Sequence, residues 1–187
     1  MPASIVFPSV RPNRQEAALP AAQISNAQPL LRKTWAYRIG VSVVNTKTII
    51  VSPPFQGPAV ITEWAPTISQ AATVNAVMGL WWSDDNSQQG VNQAPTTRVS
   101  GTPILENITY LTPQKAFAVE DLNVLDMTDL GGNVAQNPQM RINYYVARQG
   151  AFFLKIALRN GAAGVHDSKG SITLAENVSP EQAASFF

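Results

Sequence analysis

Apolar and polar residues alternate in short blocks over most of this chain. From Tyr37 to Val43 the odd positions are apolar and the even ones polar or small. A period of two turns one face of a strand inward. Asn45-Thr46 supplies a turn, so Thr48-Ile49-Ile50-Val51 is predicted as the hairpin partner, stopped by Pro53-Pro54. Residues 59–64 predict another strand, closed by Pro66. Residues 67–77 fit either a short helix capped by Thr67 or a loop. Residues 74–82 are apolar and aromatic, and Ser83-Asp84-Asp85-Asn86-Ser87 ends them with turn formers. Residues 83–103 predict a long polar loop, and loops of that length make contacts or carry function.

The alternation is clearest from Arg141 to Arg159. Arg141-Ile142-Asn143-Tyr144-Tyr145-Val146 and residues 151–159 flank Arg148-Gln149-Gly150, which predicts a β-hairpin. Phe152, Leu154, Ile156 and Leu158 form its buried face, with Phe153, Lys155, Ala157 and Arg159 opposite. Shorter strands are predicted at 108–111 and 171–174, a helical turn or two within 121–132, and a short helix or tail at 180–187. Short strands, Gly/Pro turns and no β-α-β rhythm predict an all-β fold. The expected form is an antiparallel β-sandwich, jelly-roll-like.

Residues 1–33 depart from this pattern. Pro2, Pro8, Pro12, Pro20 and Pro29 block helix and central strand alike. An extended Pro-rich N-terminal arm over 1–33 is therefore expected, with a single β-sandwich domain over 34–187. The arm is mildly basic, with Arg11, Arg14, Arg32 and Lys33 against Glu16. It also holds apolar side chains suited to lying on another surface. Ile5, Phe7, Val10, Arg11, Arg14, Leu30 and Leu31 are the expected subunit contacts.

Composition narrows the chemistry. The chain has no cysteine and one histidine, His166, which removes thiolate chemistry and most zinc sites. No Gly-x-Ser-x-Gly elbow accompanies His166, and His166-Asp167-Ser168 reads as a Gly-flanked turn. Asp84-Asp85-Asn86 and the group Glu120, Asp121, Asp126 and Asp129 lack a calcium-loop pattern and read as solvated turns. No phosphate loop is present. The reading is not an enzyme, with no cofactor and no metal. Charged residues make up only 13% of the chain, which suits a surface covered by neighbours. No membrane span and no secretory signal are visible. Trp81 and Trp82 are adjacent on a strand and must face opposite sides; one is expected in the core and the other as an exposed aromatic contact.

The strand Phe153-Leu154-Lys155-Ile156-Ala157-Leu158-Arg159-Asn160 and the passage Gly79-Leu80-Trp81-Trp82-Ser83-Asp84-Asp85-Asn86 are similar to segments of bacteriophage virion proteins of the β-sandwich type. The Pro-rich arm resembles those with which capsid subunits reach their neighbours. The resemblance implies a structural subunit of a virus particle (capsid, decoration, tail or fibre), residing in the virion. Copies of itself and other virion proteins would be its partners, with nucleic acid touched only non-specifically through the arm. The alternative is a β-sandwich module that binds a glycan or a host receptor through loop 83–103.

Overall fold

A computed structural model of the chain describes residues 30–69, 76–111, 116–118, 126–128, 139–160 and 166–187. Ten strands run in chain order: β1 (Leu31–Val41), β2 (Thr46–Val51), β3 (Phe55–Ser69), β4 (Ala76–Ser83), β5 (Gly90–Gln93), β6 (Thr102–Leu111), β7 (Ala116–Ala118), β8 (Asp126–Thr128), β9 (Gln139–Asn160) and β10 (His166–Glu176). A short helix, α1 (Pro180–Ala183), and a 3-10 turn (Ala184–Phe186) follow. Among the described residues no helix is long and apolar enough to cross a membrane.

The fold is all-β and antiparallel throughout. The strands form one curled sheet in the order β1-β10-β3-β9-β4-β6-β7, with β2 on β9 and β5 on β2. The first half of β9 pairs with β3, from Trp64↔Met140 to Phe55↔Phe152. Its second half lies between β2 and β4, from Lys155 to Asn160. The curled sheet therefore folds into two layers, β1-β10-β3-β9 against β2-β9-β4-β6. That strand order is the jelly-roll arrangement.

The expected hairpin at 141–159 is corrected by this topology. The two blocks do not pair with each other; they are halves of one 22-residue strand. Gly150 adopts φ +85°, a conformation glycine reaches without a Cβ penalty. Here it turns the strand from one layer into the other rather than back on itself. Gly57 sits opposite Gly150. A Cβ at Gly57 would lie 2.1 Å from the Arg148 carbonyl oxygen, so only glycine lets the two backbones meet.

The inner face matches the alternation. Phe152, Leu154, Ile156 and Leu158 are fully buried, together with Ile39, Trp64, Leu80, Ile104 and Ile172. The Trp64 indole donates to the Tyr37 hydroxyl at 2.7 Å, and burial pushes the Tyr37 phenol up to about 12. A smaller apolar cluster covers the outer side of the first layer. Val60 and Ala175 meet Val178 and Ala183 of the C-terminal segment there. Ser179 accepts from the Gln182 backbone and the Gln182 side chain accepts from the Ser179 backbone, which caps α1.

Other expectations shift. Asn45 does turn the chain, at φ 54°, but β2 pairs with β5 and β9 rather than with β1. Pro66 does not close β3. It pairs opposite Gly170 of β10, beyond the last β9 partner of β3, Trp64↔Met140. On that side there is no described ladder for its missing N–H to break. His166-Asp167-Ser168 opens β10 instead of forming a turn. Residues 126–128 are strand β8, and the rest of 121–132 lies outside the described residues, as do Glu120 and Asp129.

Candidate functional site

The outer face of β2, β9 and β4 is roofed by residues 84–101; the loop expected over 83–103 is shorter than that, because Ser83 ends β4 and Thr102 opens β6, and it contains strand β5. Ile49, Trp81 and Ala157 form an apolar floor, and Val99 packs down onto it. One buried cation ties the roof in place. Lys155, at 0% exposure, donates to Asp85 Oδ1 at 3.1 Å and to Ser100 Oγ at 2.6 Å. It thus holds both ends of the loop at once. Gln88 staples the loop internally, donating to the Arg98 carbonyl and accepting from the Ser100 N–H at 2.6 Å. Hydrogen bonds from the Ser87 and Ser83 hydroxyls, then from Lys155, hold the Asp85 carboxyl well below its usual range.

A cleft of about 390 Å³ opens between this roof and the sheet. Trp81 and Ala157 lie at its floor, with Lys47, Arg98, Arg159 and Glu106 around it. The Trp81 indole donates to Glu106 Oε1 at 3.1 Å, and Lys47 Nζ donates to the Thr97 carbonyl at 2.8 Å. A Cβ on Gly79 would lie 2.3 Å from the Trp81 ring, so the indole folds back over a strand position that has to be glycine. Partial burial, then the nearby Arg159 charge, lowers the Lys47 pKa, while Glu106 opposes that shift.

The two tryptophans do face opposite sides, but neither is an exposed aromatic contact. Trp82 packs inward, edge-on to Phe152 with ring centroids 6.5 Å apart. Trp81 faces outward and is covered by the chain's own loop, leaving 9% exposed. Lys155, Lys47, Arg98, Arg159 and Glu106 were not singled out from sequence. The alternation placed Lys155 and Arg159 on the outward face, but nothing local shows which loop lies over that face. Asp84 lies 3.8 Å from Arg148, and Asp85 is engaged as above. Among the described residues no three His, Asp or Glu side chains gather as a metal site.

A second feature is the edge of the first layer. β1 pairs with β10 over its whole length, Leu31↔Glu176 to Val41↔His166. Among the described residues no strand pairs with its other side. Two of its three long cations are drawn back over β10, and the third, Arg32, is exposed. Lys33 reaches Glu176 at 2.7 Å, and Arg38 reaches Asp167 at 3.0 Å. Leu31 is half exposed, whereas Leu30 packs onto the Val60–Val178 cluster of its own body. Residues 31–33 are thus part of the body's edge strand and not of the arm. Ile5, Phe7, Val10, Arg11 and Arg14 lie outside the described residues.

No protein family, curated protein or solved structure matches this chain.

Proposed function

We propose that this protein is a structural subunit of a larger assembly, a virus particle, and acts through contacts between subunits rather than through catalysis. The observation that carries the reading is the eleven-residue edge strand β1. One row of its backbone donors and acceptors has no strand partner among the described residues. A long open edge is a template for a further strand. Natural edges are commonly shielded by lysine or arginine; here Lys33 and Arg38 are tied to β10, which leaves Arg32 as the remaining long cation of the strand. The chain enters β1 directly from a Pro-rich, apolar segment that cannot build a core of its own. Sparse charge supports the same reading, since a subunit surface covered by neighbours needs little ionic solvation. In this account the segment before β1 of one subunit lies along the β1 edge of the next.

Sedimentation of the full chain over a range of concentrations tests the reading. Assembly into species larger than a dimer is the expected outcome. A chain that stays monomeric at every concentration overturns it and leaves the glycan- or receptor-binding module in its place.

A further inference from the structure

From the cleft between the 84–101 roof and the outer face of β4 and β9, we infer a binding site for a small molecule carrying an oxyanion group, a carboxylate or a phosphate. The inference is independent of the assembly reading. Three cations, Lys47, Arg98 and Arg159, line this cleft against one carboxylate, Glu106. The whole chain carries a net charge of only +1, so this concentration is local. Glu106 already accepts the Trp81 indole N–H. Among the described residues neither Arg98 nor Arg159 takes part in an ion pair.

The setting also favours a ligand over plain solvation. Lys47 is partly withdrawn from water and lies near Arg159; burial first, and that like charge second, lower its pKa. An incoming anion relieves that repulsion. A guanidinium presents a planar fork that matches a carboxylate or a phosphate in two parallel hydrogen bonds. The apolar floor of Trp81 and Ala157 gives the rest of the molecule a dry surface. At about 390 Å³ the cleft falls within the size range of small-molecule sites. The roof is fixed in place by Lys155 and Gln88, so the site is formed before the ligand arrives.

The test is a titration of the full chain, followed by the nitrogen–proton resonance of the Trp81 indole. Glucuronate and inorganic phosphate are the probes, and uncharged glucose is the control. The expected result is a saturable shift with at least one anionic probe and none with glucose. The responding probe tells a carboxylate site from a phosphate site. Arg98→Gln and Arg159→Gln should each weaken that binding by about tenfold. Both side chains are exposed, so neither change threatens the fold. Two outcomes overturn the inference: neither anion gives a saturable shift, or both variants bind the responding probe as tightly as the parent.

Discussion

At the scale of single residues, burial decides which side chains hold the body together. Leu154 and Ile156 sit at 0% exposure in the centre of the core. Truncating either to alanine removes buried apolar volume and leaves a cavity, which should cost about 2–5 kcal/mol. Thermal or urea unfolding of Leu154→Ala and Ile156→Ala measures this directly. Stability equal to the parent would show that the inner face is misassigned. This inner face was legible from alternation alone, because a strand with one dry face must place apolar residues at every second position. The outer face was less legible. Lys155 shares the outward face with Arg159 in sequence, yet it is buried under a loop whose ties to it, Ser100 and Asp85, are 55 and 70 positions away in the chain.

At the scale of elements, the roof over β2, β4 and β9 depends on Lys155 as its latch. Lys155→Met keeps much of the side-chain length and removes the charge. Amide exchange should then accelerate by about tenfold at Ser87 and Ser100, whose N–H groups are bonded within the roof. The Leu154 amide, bonded to Ser52 Oγ in the core, should be unaffected. Unchanged exchange at Ser87 and Ser100 would remove Lys155 from that role. Acid acts on the same latch. The Asp85 carboxyl is held below its ordinary value of 3.8 by Ser87, Ser83 and Lys155. Its contribution is therefore present above that pH and is lost as the pH falls towards the lower folded value. The protection of roof amides, taken relative to their intrinsic exchange rate at each pH, should fall over that window in the parent and stay constant in an Asp85→Asn variant. The elements also show where local reading stops. Each predicted strand block overlaps a strand, though β1 stops at Val41, short of the expected Val43, and residues 74–75 lie outside the described residues; β2 and the halves of β9 take partners far away in sequence. A turn signal such as Arg148-Gln149-Gly150 marks a change of direction without saying whether the chain reverses or passes to the other layer. The cleft has the same origin. Lys47, Arg98 and Arg159 come from β2, the roof and β9, and only the jelly-roll order brings them together.

At the scale of the whole molecule, the two layers bury a shared apolar core among the described residues, with Trp35, Ile50, Trp82 and Tyr144 partly buried at its margin. Their outer faces are covered by the chain's own additions, the 84–101 roof on one side and the C-terminal segment on the other. Several strand edges have no strand partner among the described residues, those of β1, β5 and β7 among them, and β1 with eleven residues is the longest of these three. Jelly-roll order and a long open edge are properties of a body that can stand alone and still accept a further strand. Fold class was legible in the sequence because strand blocks, prolines and turns are local. The role of residues 1–29 was not, because a Pro-rich sequence does not name the surface it would meet. Deleting residues 1–29, which stops short of Leu31 and leaves β1 whole, tests the central claim most directly. Sedimentation of this truncated chain, with circular dichroism as a check on its fold, is the measurement. The expected result is a folded β-rich monomer that has lost the parent's larger species. Assembly of the truncated chain to the same size as the parent would contradict it.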